Sequence, residues 1–159
     1  EVFKEPAALI TKAGAKIMSL THPAKKISKS QGPESYIALF DSDEMIRRKI
    51  KIAVTDSGKE VRYDPKNKPA ISNLITIYHL FADLPIKEIE KRHAGKGYAD
   101  FKKDLAEVII DYLKPLRQKR EHLEKNPDYV KNILEEGRQK AQKIAAATMM
   151  EVKKKTGLI

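Results

Sequence analysis

Two lysines and two serines lie within five consecutive residues, Lys26-Ile27-Ser28-Lys29-Ser30. Lysine provides a compact, strongly hydrated positive charge, and serine hydroxyls are donors that can turn toward nearby oxygens. A mobile loop with this composition can surround a polyphosphate, and its lysines can stabilise the negative charge that grows on a leaving pyrophosphate. The alternative is a solvated basic turn. These five residues alone do not distinguish the two interpretations.

The rest of the chain is also basic. It has 159 residues, a formal net charge of +10 and a sequence pI near 9.6. No acidic residue occurs between Pro6 and Pro33, so the segment that contains the lysine–serine loop is the more strongly polarised part. A balance of this kind favours anionic partners, nucleic acid first among them.

Several classes of site are disfavoured by what the sequence lacks. There is no cysteine, and no two of the four histidines stand at a metal-ligand spacing, so we expect no disulfide and no protein-ligated metal. No apolar run approaches the roughly 20 residues that a membrane-spanning helix needs. These features predict a cytoplasmic protein without a membrane partner.

Two regions differ in their periodicity. Residues 1–33 are broken by proline and glycine, and within them residues 15–20 alternate apolar and polar, which predicts one short strand. A lone strand is unstable, so we expect its sheet to come from sequence outside this chain. From Tyr36 onward the period is helical. Five helices are expected, over about 42–53, 70–82, 85–93 and 98–124 and from 127 onward, packed as a bundle.

Three local features of the helical region carry further expectations. Asp41 or Ser42 can cap the first helix. Gly137 lies on the apolar stripe of the last helix and would let a neighbouring helix approach closely. The segment Gly95-Lys96-Gly97-Tyr98 opens a helix and is either an anion site or a flexible connector.

The loop and its surroundings resemble a known family. Lys26-Ile27-Ser28-Lys29-Ser30 is similar to the Lys-Met-Ser-Lys-Ser signature of class I aminoacyl-tRNA synthetases, and the flanking sequence resembles the bacterial tryptophanyl-tRNA synthetases. The resemblance extends over essentially the entire chain. The matching segments, in the family's order, are Gly14–Leu20, Pro23–Lys25, Ala53–Ser57, Arg62–Asp64, Lys68–Leu74, Gly95–Tyr98, Phe101–Ala106 and Gly157–Ile159.

The resemblance implies a fold and a division of the chain. Residues 1–33 would be the loop-and-strand tail of a Rossmann-like catalytic domain, and residues 34–159 a helical anticodon-binding region. The fold class is thus mainly α, with a C-terminal bundle of about five helices. The chain would be the C-terminal half of the enzyme and inactive by itself, because the family's first signature and tryptophan pocket are not among these residues.

The resemblance also implies an activity. The parent enzyme would activate tryptophan with ATP and Mg2+, transfer it to its tRNA, and act as a homodimer. Ile17 would lie against the adenosine of ATP, and Lys26, Ile27, Ser28, Lys29 and Ser30 would hold its phosphates. Lys29 is the first choice for the cation that acts in the transition state, and Lys26 the second. The alternative function is a free-standing basic helical RNA-binding module without catalysis.

Two departures from the family pattern concern the loop. Ile27 stands where the signature has methionine, which keeps an apolar side chain at that position. After Ser30 the family usually continues Asp-Pro-Asn, whereas this chain has Gln31-Gly32-Pro33. We therefore expect the end of the loop to have its own local geometry.

Overall fold

The computed structural model describes residues 2–11 and 14–159, and its regular structure there is helical. The five helices are α1 (Asp43–Ile52), α2 (Pro69–Ala82), α3 (Ile86–Arg92), α4 (Tyr98–Glu124) and α5 (Pro127–Lys155). Short 3-10 turns occupy Lys29–Gln31 and Pro33–Ser35. The mainly α class and the five helices are confirmed. None of the helices in the described part combines the length and apolar character that a bilayer span requires.

Local chemistry sets where the helices begin and end. The Ser42 side chain accepts the Met45 N–H at 3.2 Å, so Ser42 and not Asp41 caps α1. A proline begins both α2 and α5, at the position where its missing N–H costs nothing. Asp83, with φ 52°, ends α2 in the left-handed conformation.

The chain forms two compact units, Ile10–Arg117 and a second one made of Glu1–Leu9 with Gln118–Ile159. The first unit contains the lysine–serine loop, and we call it the loop unit. The predicted boundary after Pro33, between the tail of the catalytic domain and the anticodon-binding region, lies within the loop unit. It remains a proposal about function.

The hydrophobic core of the loop unit is centred on α2. Most of α2 is buried because its apolar residues surround the helix instead of forming a single stripe. The α2 side chains that are at most 1% exposed are those of Ile71, Leu74, Ile75 and Tyr78; α1 adds Ile46 and Ile50, α3 adds Ile89, and α4 adds Phe101, Leu105 and Ile109. Because α2 is held in this core, its backbone provides a fixed base for any α2 side chain that contacts the loop.

The predicted strand at residues 15–20 does not form. These residues make one isolated antiparallel bridge, between Met18 and Lys26. The bridge is flanked by hydrogen bonds from the Ser19 N–H to the Lys25 carbonyl (2.9 Å) and from the Ile27 N–H to the Ile17 carbonyl (3.0 Å). The partner of this segment therefore comes from the loop itself, and one bridge is too short to make a strand.

The last helix, α5, has no buried side chain. Its apolar residues face outward, with Leu134 66% and Ile144 71% exposed. A Cβ at Gly137 would meet no atom of the described residues within 4 Å. The expectation that Gly137 lets a neighbouring helix approach closely therefore stays a prediction.

A polar network joins α2, α3 and α4 at the edge of the core. The Tyr78 hydroxyl of α2 donates to Asp104 Oδ2 of α4 at 2.8 Å and accepts from the Arg92 guanidinium of α3 at 3.2 Å. His93 Nε2 lies 3.0 Å from the same carboxylate oxygen. Burial, with a smaller contribution from the hydrogen bond to Asp104, raises the pKa of Tyr78. The folded state thus retains the Tyr78 proton more strongly than the unfolded chain does.

Replacing Tyr78 with phenylalanine tests this network. At neutral pH we expect Y78F to lower the free energy of unfolding by about 1–2 kcal/mol, because Asp104 loses a donor. In the wild type, the stability that the raised pKa supplies is fully present below about pH 10 and is lost as the pH rises beyond it. Urea unfolding between pH 7 and about 11.5 measures both effects.

The control for Y78F is Y112F, since the Tyr112 side chain is 53% exposed. Y112F should change stability little at any pH. An equal pH dependence in the wild type and in Y78F would contradict the assignment of the high-pH loss to Tyr78.

Candidate functional site

The lysine–serine loop, residues 26–30, is closed at its base by backbone hydrogen bonds. Residues 17–19 pair with residues 25–27 as described above. Beyond that pairing, the Leu20 N–H donates to the Ser35 carbonyl at 2.9 Å, and the Val54 N–H donates to the Leu20 carbonyl at 2.8 Å. The segment that follows the loop is therefore tied through Ser35 to Leu20, which is 2% exposed and belongs to the core.

Within the loop, the polar side chains lie at the surface. Lys26 and Lys29 are both exposed, and the Ser28 and Ser30 hydroxyl oxygens lie 2.8 Å apart. The Gln31 side-chain amide donates to the Lys26 carbonyl at 3.1 Å, which closes the loop across its width. The structure thus places the four predicted lysines and serines together on one short, solvent-facing turn.

The residues at the end of the loop, where the sequence differs from the family pattern, adopt an unusual backbone conformation. Gly32 adopts φ 92° and ψ 163°, a backbone conformation that is essentially restricted to glycine. Pro33 then begins a second 3-10 turn. The buried Ser35 hydroxyl lies 2.7 Å from the Gly32 carbonyl oxygen and 3.1 Å from that of Ser28, both of which are acceptors. Gln31-Gly32-Pro33 therefore makes a tight return that Asp-Pro-Asn could not make in the same conformation.

An apolar groove of about 270 Å³ borders the loop. Ile17 and Ile27, the two predicted apolar contacts of ATP, both line it and are half-buried. The remaining lining comes from Leu20, Ile37, Ala38, Leu39, Ile77, Leu80, Phe81 and Leu113. An apolar surface beside two exposed lysines is a chemical match for a nucleotide, which has a flat base at one end and phosphates at the other.

The basic runs on α1 and α4 are largely neutralised by ion pairs. Arg47 binds Glu107 through two hydrogen bonds of 2.7 and 3.0 Å, and the Arg47 hydrogen bond lowers the pKa of Glu107. Arg48 pairs with Glu34, Lys49 with Asp41, and Arg117 with Asp43. These runs therefore stabilise the loop unit more than they provide free positive charge.

The segment Gly95-Lys96-Gly97-Tyr98 is best described as a connector. Gly95, with φ 74°, turns the chain between α3 and α4. The adjoining cavity of about 630 Å³ has both basic and acidic residues in its wall, including Lys96 and Glu90. Both ring nitrogens of His93, its most buried polar residue, already have oxygen neighbours, the Ile89 carbonyl and Asp104. The buried imidazole of His93 is thus already satisfied within the fold.

Two residues at the base of the site escaped the sequence reasoning. Asn73, 7% exposed on α2, contacts the backbone of Met18 through its side-chain amide. Lys49, 1% exposed, belongs to a run of basic residues on α1 but is buried against Asp41. An asparagine within the apolar run of α2 was a usable signal; nothing in the sequence distinguished Lys49 from its neighbours.

In the described part of the chain, no cluster of three histidine, cysteine, aspartate or glutamate side chains could hold a metal ion. A magnesium ion that accompanies ATP would belong to the substrate and would not require such a cluster.

Comparison with known proteins places these features in a family. Residues 1–114 match the family described as tRNA synthetases class I (W and Y). The chain is 44% identical over 159 residues to the tryptophan–tRNA ligase of Halalkalibacterium halodurans and 45% identical over 159 residues to that of Bacillus anthracis. Each match covers 99% of this chain and 48% of the relative, so the chain spans about half the length of these relatives.

A solved structure agrees with the sequence matches. The crystal structure of tryptophanyl-tRNA synthetase from Mycoplasma pneumoniae superposes with a TM-score of 0.81 at 30% identity, over 92% of this chain and 45% of that one. The family match covers most of the chain, and the fold is similar to that of the solved structure. The chain belongs to the class I tRNA synthetase family of the tryptophan and tyrosine enzymes.

Proposed function

We propose that this chain is the C-terminal half of a tryptophan–tRNA ligase. The observation that carries the proposal is the loop of residues 26–30, with two exposed lysines beside the apolar groove that Ile17 and Ile27 line. Relatives named tryptophan–tRNA ligase, at 44–45% identity over nearly the whole chain, support tryptophan as the amino acid.

In the proposed reaction the tryptophan carboxylate attacks the α-phosphorus of MgATP. Tryptophanyl-adenylate forms and pyrophosphate leaves; the amino acid is then transferred to tRNA. Ile17 contacts the adenosine, and Lys26, Ile27, Ser28, Lys29 and Ser30 hold the phosphates. Lys29 stabilises the charge on the departing pyrophosphate, with Lys26 in support.

The remaining parts of the proposal concern organisation. Residues 1–33 complete the catalytic domain, and residues 34–159 contact tRNA as a helical anticodon-binding region. The enzyme acts as a cytoplasmic homodimer. We expect this chain alone to be inactive, because it spans about half the length of its relatives.

The alternative is a basic helical RNA-binding module without catalysis. Membership of a synthetase family favours the enzyme.

Amino-acid-dependent exchange of pyrophosphate into ATP tests the proposed function. The full-length protein should exchange with tryptophan, and tyrosine at the same concentration should stimulate far less. The 159-residue chain alone should give no exchange. Stimulation by tyrosine in preference to tryptophan, or by neither, would overturn the proposal. Pyrophosphate exchange by the 159-residue chain alone would contradict the proposal that this chain is inactive by itself.

A further inference from the structure

Asn73 contacts the base of the loop through both ends of its side-chain amide. Its Oδ1 accepts the Met18 N–H at 2.9 Å, and its Nδ2 donates to the Met18 carbonyl at 3.0 Å. The two hydrogen bonds link positions 55 residues apart in the chain. Asn73 therefore pairs with both the N–H and the C=O of Met18.

The geometry of the bridge explains why an amide is needed there. The hydrogen bonds between residues 17–19 and 25–27 flank the Met18–Lys26 pair, so Met18 and Lys26 form the non-hydrogen-bonded type of pair. In such a pair the N–H and C=O of Met18 point away from Lys26. In a sheet a further strand would accept them; here the Asn73 amide, which has the same donor and acceptor as a peptide group, takes that place.

Asn73 is itself held firmly. It is 7% exposed, and its neighbours Leu74 and Ile75 on α2 are at most 1% exposed in the core. The contact thus connects a fixed helix to Met18, then to Lys25–Ile27, and so to the first residues of the loop.

We propose that Asn73 is a positioning residue that sets the loop of residues 26–30 at its catalytic position by standing in for a missing strand. The proposal builds on the proposed function, since the loop's position matters for catalysis only if the loop acts on ATP. It assigns Asn73 no contact with substrate.

The test uses three variants of the full-length protein. Asn73→Leu keeps the size of the side chain and removes both hydrogen bonds. Asn73→Asp keeps the acceptor for the Met18 N–H and loses the donor to the Met18 carbonyl. Ser72→Ala is the matched control: Ser72 is adjacent on α2, 3% exposed, and accepts one hydrogen bond of 2.9 Å from the Asp64 N–H, away from the loop.

Amide hydrogen exchange provides a readout that does not depend on activity. In Asn73→Leu, the Ser19 and Ile27 amides should exchange at least about tenfold faster, since a buried peptide group is left unsatisfied and the pairing beside it opens more often. Ser72→Ala should leave both amides unchanged, and Asn73→Asp should fall between. Unchanged protection in Asn73→Leu would overturn the proposal whether or not the protein is a synthetase.

Steady-state pyrophosphate exchange provides the second readout. In Asn73→Leu, kcat should fall about ten- to a hundredfold while the KM for tryptophan changes less than about twofold, because only positioning of the loop is lost. A loosened loop with an unchanged kcat would also overturn the proposal. Should Asn73→Leu not fold, Asn73→Asp is judged by the same criteria. A wild type without exchange activity defeats the proposed function and leaves hydrogen exchange to decide the role of Asn73 in holding the loop.

Discussion

Replacing Lys29 with alanine in the full-length protein is expected to slow tryptophan-dependent pyrophosphate exchange by about 10²–10³-fold. The Lys29 side chain is exposed on the loop, so its removal should leave the fold intact. The loss should appear in kcat, because a cation that meets charge developing on the leaving group stabilises the transition state more than the bound substrate. The KM for tryptophan should be nearly unchanged.

Two other lysine variants provide rates with which the exchange rate of Lys29→Ala can be compared. Lys26→Ala, at the start of the loop, should give a smaller loss than Lys29→Ala. Lys25→Ala removes the same charge one position outside the loop, so its rate should stay close to that of the wild type. If Lys29→Ala exchanges as fast as Lys25→Ala, Lys29 has no part in the reaction.

The sequence predicted most of the helical architecture because the helical signals are local. Apolar spacing, capping serine and first-turn proline each act within a few residues, and the helices begin within about two residues of the expected positions. The candidate loop was found in the same way, since its two lysines and two serines are consecutive. Signals that act between residues close in sequence can be read from the sequence directly.

The support of the loop could not be predicted, because it depends on long-range contacts. The segment at 15–20 has strand-like alternation, yet its edge is filled by one amide from α2, 55 residues away. The apolar face of α5 has the spacing of a buried helix, yet none of its side chains is buried. In both cases the periodicity of the sequence showed which residues share a face of the segment. It could not show what would pack or bond against that face.

The largest stability effect is expected from Lys49→Met. Lys49 Nζ lies 2.6 Å from Asp41 Oδ2, with the two side chains 1% and 6% exposed, and 5.2 Å from the centre of the Tyr36 ring. Methionine fills the same space but leaves the Asp41 carboxylate buried without its counter-charge. We expect a loss of about 3–5 kcal/mol in the free energy of unfolding, measured by urea unfolding followed by circular dichroism.

Lys51→Met is the control on the same helix, since it removes an equal charge from an exposed position and should change stability by at most about 0.5 kcal/mol. The double variant Asp41→Asn/Lys49→Met decides the cause. An asparagine at 41 still accepts the Ala38 N–H, now bonded to Asp41 at 2.8 Å, and carries no charge. If the stranded carboxylate causes the loss, the double variant recovers most of it. A double variant as unstable as Lys49→Met would instead assign the loss to packing of the lysine stem against Tyr36, and the ion pair would then hold the segment after the loop only weakly.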